Sequence, residues 1–538
     1  MVSEYFQTSY PTKDSENIYP QIPGINFKDF KLTLERMPET QRMRALKSLY
    51  DYEIKQRQNS IGFQGNQKMD YLDLAQFLNI SIHNIGDPFV TGNYTVNTKF
   101  VERAVLDYLA SIWNAQWPHE NVQNENSNDQ WLNSYWGYIT MGGTEANIFA
   151  LCNARDYLEG KALLHNSNDG EQIKCYSNIT QHQKCCPVKA DESPRACIPI
   201  IFYSQDTHYS IAKATSMLKI ATFNDVGSGS HVCPLIYPDD YPKTFSQSIL
   251  DKNGWPTEVP SNEDGSIYIP ALSKLVNFFA NLGHPILVCF NFGTTFKGAF
   301  DDVELAIRDL MPILRNTGLF ERKVKCTKTG KFDIRTGFWF HVDGALGAAY
   351  MPFLTPQRNK GIPRFDFRIK EMHSLSMSGH KWIGTPWPCG VYMSKVKYQV
   401  IPKTSPNYIG SPDSTLAGTR NAFSALLLWD FFSKNSLEDL RKKADYSMEL
   451  TQYAFTQLKK LEKDLGENLW VEHSYGSLAV RFKKTNPNLV YKYSLAEETL
   501  FVDGDRRDYN HIYLMGHVTK SLIDQLVKDI YCEYQPLL

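Results

Sequence analysis

From Tyr138 to about Tyr398 the chain alternates short apolar runs with stretches of helical periodicity. The runs GYIT, IPIIFYS, PILVCFNFG, GFWFHVDG and SLSMSGH are short and β-like, and most run into Gly, Ser, Thr, Asn or Asp. Strands buried on both faces and separated by helices predict an α/β fold with a doubly wound, parallel or mixed sheet. In such sheets ligands sit beyond the carboxyl ends of the strands, where these small polar residues collect. Ahead of this region, residues 99–114 place Phe100, Val101, Ala104, Val105, Tyr108 and Leu109 at helical spacing, which predicts an amphipathic helix. Residues 1–45 read as an arm with a short helix around Phe27–Arg36. Residues 160–194, rich in Asn, Asp, Gln and Cys, and residues 251–267 read as loops inserted in the pattern. After Pro402 the character changes. Helical sequence covers about Ser424–Leu461, strand-like LWVEHS, SLAVRFK and HIYLMG follow, and a last amphipathic helix begins near Thr519. The expected organisation is an N-terminal arm and cleft segment (1–98), a large domain (99–398) and a small C-terminal α/β domain (399–538). No period of repeat-protein length recurs, which excludes solenoids and propellers.

Composition narrows the function classes. The 538 residues are 42% hydrophobic and 21% charged, an ordinary globular balance. Lys and Arg number 57 against 58 for Asp and Glu, a formal charge of −1, so the chain carries no electrostatic footprint for nucleic acid or an anionic membrane. No apolar run approaches the roughly 20 residues of a spanning helix. The opening MVSEYFQTSYPTKDSENIYPQIPG has no apolar signal core, so a cytoplasmic location is expected. Ten cysteines are too sparse for a disulfide framework. Cys175, His182, Cys185, Cys186 and Cys197 lie close together, but adjacent Cys185-Cys186 fits one zinc tetrahedron poorly, and an irregular insertion without metal is the favoured reading.

Five places carry candidate chemistry. Lys381 in SMSGHKWIG follows an apolar strand; as a loop lysine it is unremarkable, but a buried lysine of depressed pKa suits Schiff-base chemistry with a carbonyl cofactor. Asp343 ends the run Phe338–Val342, where an acid caps a turn or faces a cation such as a pyridinium. Gly142-Gly143-Thr144 lies between a strand and a helix beginning near Glu145, an arrangement that is either a plain turn or a single-phosphate site. His208 follows another strand, either as a satisfied histidine or as a flat ring stacked on a cofactor. Thr294 and Thr295 end a fourth strand, and Asp301-Asp302 read as turn and helix-start residues.

Taken in order, these segments resemble the PLP-dependent group II amino-acid decarboxylases of fold type I, and within them the histidine and serine decarboxylase branch. The resemblance is carried by HNIGDPFVTGNYTVNTKFVERAVLDYLASIW, GYITMGGTEAN, YSQDTHYSIAKA, NFGTTFKGAFDD, HVDGALGAAYMPF, SMSGHKWIGTPWPCGV, STLAGTRNAFSALLLW and YNHIYLMGHVTKSLIDQLVKDIY, from about residue 70 to the end apart from the two loops. It implies an aspartate-aminotransferase-like fold with a large, mostly parallel, seven-stranded-type sheet, and a homodimer with shared active sites. It also implies pyridoxal 5'-phosphate (PLP) held covalently by Lys381, with Asp343 at the pyridine nitrogen, Ala345 against one ring face and His208 on the other. Gly142, Gly143, Thr144, Ser378 and His380 would bind the phosphate, and Thr294 or Thr295 would lie near the phenolic oxygen. Asn84, Tyr94 and Arg420 are assigned to the substrate cleft, and Tyr408 is the candidate acid that reprotonates the product.

Two departures stand out from the branch pattern. The present chain has Gly418-Thr419-Arg420-Asn421-Ala422 where the branch reads GSRNG or GSRSG, and an added Cβ at 422 is expected beside the substrate. Gly344 in HVDGA replaces an alanine, a lost methyl that reads as tolerable. The expected reaction is decarboxylation of a small-molecule amino acid, L-histidine first and L-serine or another small polar amino acid next. Oxygen-dependent decarboxylation–deamination to an aldehyde is an alternative that a retained Tyr408 disfavours. A catalytically silent binding protein is disfavoured by intact Lys381, Asp343 and His208.

Overall fold

The computed structural model describes residues 24–118, 127–167, 194–325, 332–402, 406–502 and 505–534, together with Ile22 and the pair 186–187. Its centre is a seven-stranded sheet built from β1 (Tyr135–Thr140), β2 (Ile200–Phe202), β3 (Ala221–Thr222), β4 (Ile286–Asn291), β5 (Phe338–Asp343), β6 (Ser374–Ser378) and β7 (Gly390–Lys395). Their order across the sheet is β1-β7-β6-β5-β4-β2-β3. All are parallel to their neighbours except β7, which runs antiparallel to both β6 and β1. This is the mixed, mostly parallel sheet that the apolar runs predict. Every residue of β4, β5 and β6 is buried. That is why Ile286–Asn291 and Phe338–Asp343 read as near-continuous apolar runs, while Ser374–Ser378, equally buried, alternates serine with Leu375 and Met377.

Register brings the polar strand ends together. Asn291 of β4 pairs with Asp343 of β5, and Asp343 pairs with Ser376 of β6. Helices cover the sheet. The helix Gly143–Leu158 leaves β1 through the glycine turn, and Val303–Asn316 is started by Asp302, whose carboxylate accepts the Leu305 N–H at 3.0 Å. Val303, Ala306, Ile307, Leu310 and Leu314 of that helix are buried at the spacing of one helical face. Asp302 is therefore the helix-start residue expected, and buried Asp301 holds the Ile267 and Asn291 N–H groups at 2.6 Å each.

The C-terminal region forms a three-stranded antiparallel sheet, β8 (Ala479–Lys483), β9 (Ala496–Val502) and β10 (Asp505–Tyr513), in the order β8-β10-β9. The long helix Leu437–Leu465 and the final helix Lys520–Tyr534 pack on it. The helical stretch after Pro402 divides into Phe423–Ser433 and Leu437–Leu465 at Ser436, which forms a capping box with Asp439. LWVEHS contributes only an isolated bridge, Glu472 to Arg481.

Two expectations change. The arm holds a short 3₁₀ turn at Phe27–Phe30 and then a 21-residue helix, Glu39–Asn59. That helix buries only Ala45, so it shows no apolar stripe for the sequence to display. Residues 251–267 form a loop as expected, yet Trp255, Val259 and Ile267 are buried in the main core. Cys175, His182 and Cys185 lie outside the described residues. Among the described residues, no helix is long and apolar enough to cross a membrane.

Candidate active site

At the carboxyl end of β1 the backbone is shaped for close approach. Gly142 has φ +95°, a conformation that side chains rarely adopt. A Cβ on Gly143 would stand 2.7 Å from Ser378 Oγ and 3.2 Å from Ala345 Cβ. The Gly143 N–H donates to Ser378 Oγ at 3.0 Å. His380 lies against the same turn, 3.2 Å from the place of a Gly142 Cβ. Burial holds its imidazole below the ordinary pKa, and Nδ1–H donates to the Cys389 carbonyl at 3.2 Å. The structure thus brings Gly142, Gly143, Ser378 and His380 to one point at a helix N-terminus, with Thr144 next in the chain. Free N–H groups, hydroxyls and a cradle that a side chain would fill fit a single phosphate.

Asp343 ends β5, buried, with two N–H donors on its carboxylate and the Ser376 hydroxyl close by. Asn147 Nδ2 lies 2.7 Å from Oδ2, while the Ala345 N–H and Ser376 Oγ lie 3.0 and 3.4 Å from Oδ1. Lys381 follows β6, half-buried, on the wall of a cavity of about 810 Å³. Burial lowers its ammonium pKa, while the nearby Asp343 charge acts the other way. His208, also on the cavity wall, caps the helix Tyr209–Leu218, and its Nδ1 accepts from the Ser210 N–H at 3.3 Å and meets Ser210 Oγ at 2.7 Å. Burial, reinforced by Lys381, holds its pKa below the ordinary value. A lysine whose pKa burial lowers and an imidazole on one cavity wall, with a carboxylate held by N–H donors near the lysine, are what a pyridine-aldehyde cofactor needs. The residues present therefore fit PLP.

Of the two threonines, Thr295 is exposed on the cavity wall, whereas Thr294 is buried with Oγ1 accepting the Ala299 N–H of its own turn. The wall also includes Phe63, Gln64, Phe296 and Leu500, which sequence reasoning missed because apolar side chains carry no chemical signature. The hydrogen-bonding partners Asn147, Ser210 and Ser376 were missed too, although all three sit inside the quoted motifs.

The proposed substrate residues do not reach this cavity from their own chain. Asn84 is buried with its amide spent on Glu102 at 2.8 Å and on the Thr98 N–H at 2.8 Å. Arg420 is paired with Glu102 at 2.8 Å and donates to the Gly86 carbonyl. The strands His83–Ile85 and Thr419–Asn421 pair, so both residues belong to a buried polar cluster joining two distant segments. Tyr94 donates to the Ser81 carbonyl at 2.9 Å, and Tyr408 is 81% exposed. Ala422 is buried with its carbonyl accepting from Thr98, away from the cavity. Gly344 is more constrained than expected: a Cβ there would meet Ala348 Cβ at 2.6 Å and the Ser376 carbonyl at 2.9 Å.

Comparison with known proteins agrees with this geometry. Residues 256–483 match the pyridoxal-dependent decarboxylase conserved domain. The crystal structure of L-methionine decarboxylase from Streptomyces sp. 590, complexed with L-methionine methyl ester, is 40% identical, with a TM-score of 0.82, covering 95% of this chain and 98% of that one. Serine decarboxylase 2 of Oryza sativa subsp. japonica is 26% identical over 471 residues, 87% of this chain and 73% of the rice protein. Histidine decarboxylase of Morganella morganii is 25% identical over 491 residues, 91% of this chain and 96% of its own.

Proposed function

Because this chain belongs to the pyridoxal-dependent decarboxylase family and is a PLP-dependent amino-acid carboxy-lyase, we propose that its substrate carries an unbranched apolar side chain, L-methionine first. The observation that carries this reading is the 40% identity to L-methionine decarboxylase across 98% of that chain, against 25–26% to the histidine and serine enzymes. The preference thus moves from histidine to methionine. Phe63, Phe245, Ile249, Phe296 and Leu500 on the cavity wall support it, since they offer a thioether chain apolar surface.

In this reading Lys381 holds PLP covalently, Asp343 faces the ring nitrogen, and His208 and Ala345 flank the ring. Gly142, Gly143, Thr144, Ser378 and His380 hold the phosphate, and Thr295 is the threonine near the phenolic oxygen. When bound, PLP supplies the electron sink for the pair left as the bond from Cα to the carboxylate breaks. The chain supplies orientation and charge. Asp343 keeps its negative charge where the ring nitrogen must stay protonated. Lys381, its pKa lowered by burial, would present its amine to a carbonyl.

The enzyme works as a homodimer in this reading, with Tyr408 delivered from the second subunit to return a proton to Cα. Support comes from Tyr408 itself, and from Leu72 (84% exposed), Leu78 and Phe100 (77% exposed), large apolar side chains left uncovered within one stretch of sequence. The test is to mix PLP-loaded protein with each of the twenty amino acids and measure carbon dioxide and amine. Methionine, giving 3-methylthiopropylamine, is expected to show the highest kcat/KM. Histamine or ethanolamine as the main product would overturn the substrate, and aldehyde with oxygen uptake would overturn simple decarboxylation.

A further inference from the structure

We propose that Asn147 is a positioning residue whose single buried amide ties the Asp343 carboxylate to the His208 imidazole, fixing the orientation of one and the tautomer of the other. The proposal rests on the placement of Asp343 and His208 against the cofactor ring given above. Asn147 lies on the first full turn of the helix Gly143–Leu158 and is 1% exposed. Its amide has four hydrogen-bonding positions, and all four are filled. Nδ2 donates to Asp343 Oδ2 at 2.7 Å and to Ser210 Oγ at 2.9 Å. Oδ1 accepts from Ser376 Oγ at 2.8 Å and faces His341 Nε2 at 3.1 Å.

The surroundings allow one orientation. Reversing the amide would set its oxygen 2.7 Å from a carboxylate oxygen, an acceptor against an acceptor. His341 reinforces the choice from the other side. Completely buried and held neutral by that burial, with its pKa pushed down to about 4, it has one N–H to give. Its Nδ1 meets Ser374 Oγ at 2.9 Å, and that hydroxyl already accepts the Trp339 indole N–H at 3.0 Å. With Asn147 Oδ1 an acceptor, His341 carries its one proton on Nε2, pointing at Oδ1, and its Nδ1 accepts from Ser374 Oγ. The same logic runs outward. Ser210 Oγ accepts from Asn147, so its proton turns to His208 Nδ1, which also accepts the Ser210 N–H. His208 is left with its proton on Nε2. Trp339, Ser374, His341, Asn147, Ser210 and His208 thus form one directed chain, with Asp343 and Ser376 attached at the amide.

Two consequences follow for the site. The carboxylate is held in orientation by a donor that carries no charge. The imidazole is kept a neutral acceptor at Nδ1 by two donors. The charged groups that act on His208 are Asp343, Lys381 and Lys213. Without the Asn147 donor, the Ser210 hydroxyl is no longer held in place by the amide, and it turns more readily to accept from a protonated His208 Nδ1.

The experiment compares Asn147→Ala, Ser210→Ala and Asp343→Ala in the full-length protein. It measures PLP dissociation constants on the apo-protein by fluorescence titration, kcat/KM against pH for the preferred amino acid, and the pH dependence of the bound cofactor's visible absorbance. Asn147→Ala is expected to weaken PLP binding and lower kcat/KM by about 10- to 100-fold each, the range for losing a hydrogen bond to a charged group. It should also move the acid limb of the profile to higher pH. Ser210→Ala cuts only the branch to His208, so it should move the acid limb and leave PLP affinity within about threefold, and it carries the test should Asn147→Ala not fold. Unchanged PLP affinity, absorbance and pH profile in Asn147→Ala, or in Ser210→Ala an unmoved acid limb, overturns the proposal. An Asp343→Ala protein that binds PLP and turns over normally would instead overturn the placement of Asp343 on which the proposal rests, so the two failures are distinct.

Discussion

Replacing Gly143 by alanine adds one methyl group where the structure leaves no room for it. The new Cβ would stand 2.7 Å from Ser378 Oγ and 3.2 Å from Ala345 Cβ, where ordinary contact needs at least 3.4 Å. Ala345 is fixed by the backbone that follows Asp343, so the hydroxyl of Ser378 must turn away. Doing so breaks the 3.0 Å bond from the Gly143 N–H to Ser378 Oγ. That bond is worth about 1 kcal/mol, and residual overpacking adds about 1 kcal/mol or more. A sum of about 2 kcal/mol falls on the phosphate cradle and corresponds to roughly 30-fold weaker PLP binding. The assay is titration of apo-protein with PLP, alongside the melting temperature of apo- and PLP-bound forms. The loss should be larger in the PLP-bound form, because the cradle is needed most when the anion is present. Adding Ser378→Gly to Gly143→Ala removes the clashing atom and should recover the packing part of the loss but not the hydroxyl's own contribution. Should Gly143→Ala bind PLP within threefold of wild type, or the second substitution recover nothing, the cradle is not where the phosphate sits.

Other outcomes follow from the same coordinates. Gly344→Ala puts a Cβ 2.6 Å from Ala348 Cβ and 2.9 Å from a strand carbonyl, so thermal unfolding should show a loss of about 1–3 kcal/mol. Arg420→Ala leaves Glu102 and its share of the Asn84 cluster buried without a cation, which should cost about 3–5 kcal/mol in denaturant unfolding. His511 is buried between the Phe296 and Gly62 carbonyls with its pKa pushed down to about 4. Its folded pKa lies below the ordinary 6.5, so the unfolded chain binds the extra proton first, and stability should fall as pH drops from about 6.5 towards 4. The loss attributable to this ring is about 3 kcal/mol, and unfolding of His511→Gln should show a correspondingly shallower dependence over that window.

The fold was legible because burial leaves an unmistakable pattern where it is complete. The strands holding Asn291 and Asp343 are buried on both faces, and each therefore announced itself as an apolar run ending in a polar residue. Where burial is one-sided or slight the pattern failed. The helix Glu39–Asn59 buries one alanine and read as an arm, and β9, whose residues are exposed or half-buried, was not read at all. Gly344 shows a third kind of blindness. A missing methyl looks harmless in a row of letters, and only the packing of Ala348 and the β6 backbone shows that it cannot be restored.

The site divides along a similar line, and the division explains why the reaction was readable while its substrate was not. Lys381, Asp343, His208 and the glycine turn are defined by chemistry, which confines each to one or two residue types at the end of a strand. The substrate wall is assembled instead from parts far apart in sequence: Phe63 and Gln64 before the large domain, Phe296 within it, and Leu500 in the small domain. These parts are held together mostly by backbone groups. The Asn66 N–H donates to the Lys381 carbonyl at 3.2 Å and its side chain to the Trp382 carbonyl at 2.8 Å, while His517 accepts the Gln67 N–H and donates to the Ser60 carbonyl. Segment 60–67 is thereby fixed to both the lysine loop and the small domain, and it brings Phe63 and Gln64 to the cavity. The side chains that make these bonds are single residues, Asn66 and His517, hundreds of positions apart, so they leave no motif. Arg420 and Asn84 drew attention for the opposite reason. Their polar side chains in a quoted motif look like substrate ligands, but a buried glutamate pairs with both, and under the proposed function specificity is assigned to the apolar wall instead.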